Sequence, residues 1–317
     1  MRFDYEDINL VPRYSTVDSR SECDTSIKFG AHEFKNCVIP ANMESVINDD
    51  LAIKLAENGY FYVMHRFDVD NIEFTKMMHH KGLIASISIG VNQDAYDYID
   101  EVLNNSISDK TIIPDYITID IAHGHCRKMK KMIKYLKEKL PDVFIIAGNV
   151  STIDATRDLD NWGADSLKIG VGPGSACTTY PTTGFGSRNI QASIVHECSL
   201  VTKKPTIADG GIQSPADISK SIVLGASMCM VGGMLSSFID SPGRTIEQDG
   251  RKYKEFYGSA SANQSKKSKR IEGTVKLNLM KDYTMLEYMD YLSECLESAI
   301  SYGGGTTLDD LHSVKWI

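Results

Sequence analysis

The chain has 317 residues, of which 42% are hydrophobic and 24% charged, a composition typical of a globular protein. Its formal net charge of −8 argues against a general nucleic-acid binder, although a local cationic pocket for a phosphorylated small molecule stays open. The acidic N-terminus lacks the apolar segment of a signal peptide, and no apolar run approaches the ~18 residues of a membrane span. The 7 cysteines are scattered and form no C-x-x-C pair, which favours reduced thiols in the cytoplasm over a disulfide framework or a zinc site.

Short β-prone segments alternate with helical patterns along most of the chain. Their spacing is that of successive βα units, and eight such units predict one α/β domain over residues 1–317, a closed (β/α)₈ TIM barrel. In this fold, catalytic groups lie at the C-terminal ends of the strands. The predicted strands are 37–42, 60–66, 83–90, 116–122, 143–150, 166–172, 205–211 and 228–233. The predicted helices are 49–58, 72–80, 95–103, 125–139, 153–162, 216–224 and 285–300.

The loop after the sixth predicted strand carries the strongest chemical signal. Gly170, Gly172 and Gly174 recur at alternate positions, and Cys177 follows among three hydroxyl residues. Such glycines allow positive φ and leave backbone amides and carbonyls accessible to a bound group. A thiol on this loop suits nucleophilic catalysis, and a structural loop with a half-buried cysteine is the alternative. A dinucleotide-binding fingerprint is excluded because the spacing is G-x-G-x-G with a proline inside.

Glycine pairs follow the seventh and eighth predicted strands, at Gly210-Gly211 and Gly232-Gly233. Barrels commonly bind phosphate at this place through backbone amides. Asp209 directly precedes the first pair, where it could accept hydrogen bonds from ribose hydroxyls. Two histidine pairs, 79–80 and 123/125, have no carboxylate at metal-ligand spacing, which argues against zinc.

A second insertion follows the eighth predicted strand. Residues 241–280 include the run SANQSKKSKR, which has few apolar residues and predicts a mobile segment over 256–280, here called the flap. Its lysines and arginine are interpreted as a solvated surface, with contact to a phosphate group as the alternative.

These segments together resemble the IMP dehydrogenase/GMP reductase family. The resemblance rests on GPGSACTT after a strand, IADGGI further on and YGSAS before the flap, and it extends from FDYEDINLVP near the start to ISYGG near the end. Dehydrogenases of this family usually carry CBS modules after the second strand and an Arg-Tyr pair in the flap. Here the second predicted strand leads into an ordinary helix, and no Arg-Tyr occurs between Gly258 and Gly273. Glu272 lines up with the glutamate of GMP reductases, so the chain resembles those of bacterial type.

The resemblance implies reductive deamination of GMP to IMP and ammonia, with NADPH as hydride donor. Cys177 would attack C2 of the purine to give a covalent thioimidate, and Thr179 coupled to Glu272 would protonate the departing ammonia. The residues implied to hold GMP are Met43, Ser175, Asp209, Gly210, Gly211, Gly232, Gly233, Gly258, Ser259, Lys269 and Gly273. Those implied to hold NADPH are Ser19, Arg20, Arg66, Asp120, Ala122, Asn149 and Gly170.

The resemblance further implies a monovalent cation, K⁺, held by the carbonyls of Gly172, Gly174 and Cys177, and a homotetramer. Two other interpretations stay open: an IMP dehydrogenase without CBS modules, and a barrel that binds purine nucleotides without catalysis. The set of Cys177, Thr179 and Glu272 argues against the second, because phosphate binding does not require a thiol.

Overall fold

A computed structural model describes residues 2–258 and 274–317. Seven parallel strands form one curled sheet. These strands are β3 (Val38–Pro40), β4 (Ser86–Ile89), β5 (Tyr116–Asp120), β6 (Phe144–Val150), β7 (Ser166–Ile169), β8 (Thr206–Asp209) and β9 (Met228–Val231). Their order across the sheet is β3-β9-β8-β7-β6-β5-β4. The helices are α1 (Asp49–Glu57), α2 (Asn71–His80), α3 (Gln93–Asn105), α4 (Arg127–Lys139), α5 (Ile153–Trp162), α6 (Thr179–Thr183), α7 (Gln191–Ser199), α8 (Pro215–Val223) and α9 (Met285–Tyr302).

The second predicted strand, 60–66, is not a strand of this sheet, which corrects the prediction that eight strands form the barrel. The segment is mostly buried beside β4, where the amide of Met64 donates to the carbonyl oxygen of Ser86 at 3.0 Å. The amide of Ser86 donates to the hydroxyl of Tyr62 at 3.2 Å, and the Ser88 hydroxyl donates to the Met64 carbonyl oxygen. Side-chain hydroxyls thus replace part of the backbone ladder. The architecture is that of a (β/α)₈ barrel whose second strand position is held by this irregular segment.

The sequence explains why the remaining elements form. Strands β4 and β7 are buried at every position, as parallel strands covered by helices are, and in both strands Ile or Leu alternates with a serine or a lysine. Helices α1, α2 and α5 begin after Asn48, Asp70 and Thr152, whose side chains accept hydrogen bonds from first-turn amides. Helix α4 buries Met129, Met132, Ile133 and Leu136, the apolar stripe that its lysine-rich sequence predicts.

A hairpin of β1 (Ile27–Phe29) and β2 (His32–Phe34) covers the N-terminal end of the barrel. Phe29 packs against Phe61, with ring centroids 5.2 Å apart, and Phe34 packs against the same ring at 4.9 Å. Tyr116 of β5 donates its hydroxyl hydrogen to the carbonyl oxygen of Phe29 at 2.6 Å. This aromatic cluster fills one end of the barrel, so that ligands enter at the C-terminal end of the strands.

A three-stranded antiparallel sheet consists of β10 (Thr245–Gln248), β11 (Arg251–Tyr257) and β12 (Val275–Leu279). The end of β11 and the whole of β12 lie within the predicted flap, 256–280. Residues 259–273 lie outside the described residues. β11 has the sequence RKYKEFY, in which charged and aromatic residues show no regular apolar alternation, and one of its two buried residues, Lys254 and Phe256, is a lysine. A count of apolar residues alone therefore missed the strand. Among the described helices, none combines the length and the apolar character needed to cross a membrane.

Candidate active site

A cavity of about 1080 Å³ opens at the C-terminal ends of the barrel strands. It is slightly larger than the ~300–1,000 Å³ of most small-molecule sites, so it could accept two ligands side by side. The predicted site residues that line it are Met43, Arg66, Asp120, Ala122, Asn149, Gly170, Gly172, Gly174, Ser175, Cys177, Thr179, Asp209, Gly210, Gly211, Gly232, Gly233 and Gly258.

Cys177 lies on the loop between β7 and α6 and is partly buried. Its Sγ lies 3.3 Å from the Oγ1 of Thr179, within hydrogen-bond distance for sulfur. The amide of Cys177 donates to the carbonyl oxygen of Gly174 at 3.0 Å, and the amide of Thr274 donates to that of Ala176 at 3.1 Å. The loop therefore holds a thiol and a hydroxyl together on the cavity wall.

Two glycines let the loop after β7 lie against the loop after β8. Gly170 has a φ of +142°, and a Cβ atom there would lie 2.0 Å from the carbonyl oxygen of Asp209. Gly210 has a φ of +85°, and its Cβ atom would lie 2.9 Å from Cγ of Pro173. Any side chain at either position would push the two loops apart. The backbone thus places Cys177 and Asp209 on walls of one cavity.

A buried lysine lies between two carboxylates on the cavity wall. Nζ of Lys168 is 2.9 Å from Oδ1 of Asp120 and 2.7 Å from Oδ2 of Asp209, and its side chain is only 3% exposed. Asn149 also donates to Oδ2 of Asp209, at 2.7 Å. Burial lowers the pKa of Lys168, but the two carboxylates outweigh burial and leave that pKa raised. Burial likewise opposes ionisation of Asp120, yet the Lys168 charge leaves its pKa lowered, so both groups are charged near neutral pH.

Of the six remaining predicted site residues, two are described, Ser19 and Arg20, and neither lines the cavity. Ser19 caps a short 3₁₀ helix, and Arg20 within that helix donates to the hydroxyl of Ser298 on α9 at 3.1 Å. The other four lie outside the described residues: Ser259, Lys269, Glu272 and Gly273.

Comparison with known proteins identifies the family. The sequence profile of the IMP dehydrogenase / GMP reductase domain matches residues 2–316. The chain belongs to the IMP dehydrogenase/GMP reductase family. A GMP reductase from Lactobacillus delbrueckii subsp. bulgaricus is 50% identical over 316 residues, which are 99% of this chain and 94% of the relative. GMP reductases from Albidiferax ferrireducens and Staphylococcus epidermidis are 49% and 47% identical, each over 99% of this chain and 95% of the relative.

Among the described residues, sequence reasoning missed five charged residues that line this cavity: Asp4, Lys168, Arg188, Lys276 and Lys281. Lys168 stands within the four-residue buried strand β7, where an unpaired charge is unfavourable, and that signal could have indicated a partner across the barrel. Arg188 lies beyond the Cys177 loop, and its guanidinium carbon is 5.9 Å from the ring centre of Tyr180. No sequence motif indicates Arg188 as a cavity residue, because its proximity to Tyr180 and to the cavity arises only from the three-dimensional path of the loop.

Proposed function

We propose that this chain is an NADPH-dependent GMP reductase, which converts GMP to IMP and ammonia through a covalent bond between Cys177 and C2 of the purine. The observation that carries the proposal is the contact between Cys177 Sγ and Thr179 Oγ1 on the wall of the large cavity. The named GMP reductases that are 47–50% identical over 99% of the chain support it.

In the proposed reaction the sulfur of Cys177 bonds to C2, and the bond between C2 and the exocyclic amine then breaks. The amine must take up a proton to leave as ammonia, and Thr179 coupled to Glu272 is the proposed donor. NADPH supplies the hydride that C2 of the thioimidate accepts, after which the carbon–sulfur bond breaks and IMP is released. A covalent adduct divides one difficult displacement into two easier steps.

The proposed GMP site combines amides for the phosphate with an acceptor for the ribose. The glycine pairs at 210–211 and 232–233 line the cavity, and Asp209 is the proposed acceptor for ribose hydroxyls. Proposed contacts outside the described residues are Ser259, Lys269 and Gly273.

The proposed NADPH site lies on the side of the cavity lined by the ends of the segment 60–66, β5 and β6. Arg66 and Asn149 line it, and Asp120 offers a carboxylate there. The polar side chains and the room beside the GMP site fit a dinucleotide. Ser19 and Arg20 do not line this chain's cavity, so the proposal rests on the other residues implied for NADPH.

A K⁺ ion is proposed to bind the carbonyl oxygens of Gly172, Gly174 and Cys177. Carbonyl oxygens are suitable ligands for such a cation. The turn closed by the hydrogen bond from the Cys177 amide to the Gly174 carbonyl oxygen keeps these residues close to one another. We also propose a cytoplasmic homotetramer, in line with the family resemblance and with cysteines that form no disulfide among the described residues.

The deciding experiment mixes purified protein with GMP and NADPH and follows NADPH absorbance together with ammonia. Equal amounts of NADPH consumed and ammonia released are expected. Steady formation of XMP from IMP and NAD⁺ would favour a dehydrogenase instead, and GMP binding without either reaction would favour a barrel that only binds nucleotides.

A further inference from the structure

The buried charge cluster of Lys168, Asp120 and Asp209 lies where two parts of the proposed site meet. Asp120 ends β5, on the proposed NADPH side, and Asp209 ends β8, on the proposed GMP side. The carboxylate side chains are 14% and 18% exposed and line the cavity, whereas Lys168 between them is 3% exposed. A single ammonium group therefore joins two acceptors that face different ligands.

The sheet register shows how Lys168 reaches a strand that is not its neighbour. Asp120 pairs with Gly148 of β6, and Gly148 pairs with Lys168 of β7. A Cβ atom at Gly148 would lie 2.5 Å from Cβ of Lys168. The absence of a side chain at Gly148 thus leaves the space in which the lysine stem crosses β6 to Asp120.

The hydrogen bonds leave one oxygen of Asp209 available for a ligand. Lys168 and Asn149 both donate to Oδ2, and within the described residues Oδ1 has no hydrogen-bond partner. Asp120 is also influenced by the positive charge of Arg66, whereas the only cation bound to Asp209 in the described part of the chain is Lys168. Without Lys168, the two carboxylates would repel each other, and Asp209 would lose more compensation than Asp120.

We propose that Lys168 is a positioning residue, whose ammonium group holds Asp120 and Asp209 as ionised acceptors that face NADPH and GMP respectively. The identity of the two ligands rests on the proposed function; the electrostatic role of Lys168 does not. The lysine touches neither the purine C2 nor the thiol in this proposal, and it acts through the carboxylates.

The test replaces Lys168 with methionine, which keeps the length of the side chain and removes its charge. We expect the dissociation constant of GMP, measured by calorimetry without NADPH, to rise at least tenfold, and the KM of NADPH to rise similarly. The charge-balanced variant Lys168→Met/Asp120→Asn leaves Asp209 without a charged neighbour to repel it. It should recover GMP affinity to within about threefold of wild type while the KM of NADPH stays raised, a split that general structural damage would not produce.

A ligand-free measurement separates this proposal from the proposed function. The Lys168 charge lowers the pKa of Asp120 against the effect of burial. In protein labelled with ¹³C at the aspartate carboxyl carbons, Lys168→Met should therefore show one aspartate that titrates at higher pH than in wild type. Asp120→Asn in the same background should remove that signal. If wild type fails to bind GMP, the proposed function fails, but this titration still tests Lys168. If Lys168→Met does not fold, the charge-balanced variant carries the binding measurements.

Lys254→Met is the matched control, because Lys254 is also a buried lysine, 6% exposed, and its Nζ donates to the carbonyl oxygen of Ser241 away from the cavity lining. It should leave GMP and NADPH binding within about twofold of wild type. The proposal is overturned if Lys168→Met binds both ligands as wild type does, if the charge-balanced variant is no better than the single one, or if no aspartate changes its titration.

Discussion

Sγ of Cys177 lies 3.3 Å from Oγ1 of Thr179, two residues further along the chain at the start of α6. In the proposed reaction, the carbon that sulfur attacks is the carbon that the amine leaves. A proton donor for that amine must therefore lie close to the nucleophile, as general acid catalysis requires hydrogen-bond reach. The loop after β7 and the first residue of α6 place the nucleophile and the hydroxyl of the proposed donor side by side, and the proposed partner of that hydroxyl, Glu272, comes from a later part of the chain.

The first prediction concerns the nucleophile. Cys177→Ser should abolish GMP reduction, because a neutral hydroxyl is a far weaker nucleophile than a thiol, yet it should keep GMP binding. Steady-state assays and calorimetry measure the two effects. The same substitution at Cys295, a partly exposed thiol on α9, is the control and should retain activity. Near-normal turnover by Cys177→Ser would rule out the covalent mechanism.

The second prediction concerns phosphate recognition by the glycine pairs at 210–211 and 232–233. Guanosine lacks the group that these amides are proposed to bind, and each charge-assisted hydrogen bond contributes ~1.5–3 kcal/mol. Guanosine should therefore bind at least a hundredfold more weakly than GMP, measured by calorimetry on the same protein sample. Similar dissociation constants for the two compounds would show that the phosphate lies elsewhere.

The third prediction concerns stability at the opposite end of the barrel. Nε2 of His79 lies 3.0 Å from Oδ2 of Asp115, whose other oxygen lies 3.8 Å from His32. The hydrogen bond that His79 donates to the Asp115 carboxylate raises the pKa of His79 against the effect of burial. Burial opposes ionisation of Asp115, but the hydrogen bonds from His79 and the Ala85 amide, together with the nearby histidine charges, outweigh burial and leave that pKa lowered. The imidazolium form thus stabilises the fold at pH values below the ordinary histidine pKa, and the effect is lost as pH rises through the raised value.

His79→Gln should consequently destabilise the protein more at pH 5.5 than at pH 8, by roughly 1 kcal/mol, the scale of a partly exposed ion pair. Below the ordinary aspartate range the difference should shrink again, because Asp115 takes up a proton. Urea denaturation of wild type and His79→Gln at each pH measures the difference in their free energies of unfolding. His80→Gln, at the exposed neighbouring position, is the control and should show no such pH dependence. An equal cost for His79→Gln at both pH values would contradict the ion pair.

The sequence predicted the barrel well where the local pattern and the tertiary environment agree. Helix α4 follows from its apolar stripe, and the cavity residues on strand ends follow from the order of βα units. The segment 60–66 reads as a strand because it is apolar and β-prone, but the hydroxyls of Tyr62 and Ser88 take part of its pairing. Sequence propensity does not show which side chain will replace a backbone partner.

Lys168 shows a second limit of sequence reasoning. Its partners lie 48 residues before it and 41 residues after it, so no short motif contains the cluster. A lysine within a buried strand does indicate a buried partner, because an isolated charge there is strongly unfavourable. Which carboxylates it meets depends on sheet register, and the register is fixed only when the barrel forms.

The last prediction separates the two activities of the family. A dehydrogenase must activate water for the second step, whereas a reductase must protonate the departing ammonia. The sequence has Glu272 and Thr179 but no Arg-Tyr pair between Gly258 and Gly273. Glu272→Gln should therefore slow GMP deamination by roughly 10²-fold or more, the size of a lost general acid. Single-turnover assays of GMP with NADPH measure this loss.

The reverse half-reaction supplies the internal control for Glu272→Gln. When IMP and NADP⁺ are mixed, Cys177 bonds to C2, the hydride on C2 passes to NADP⁺, and the thiol proton is released. This step involves no ammonia, so the variant should retain it far better than deamination. In wild type without ammonia, the reaction should stop after about one NADPH per site, because the thioimidate has no activated water to react with. Steady XMP formation from IMP and NAD⁺ by wild type would instead identify a dehydrogenase, whereas a single burst with little XMP supports the reductase.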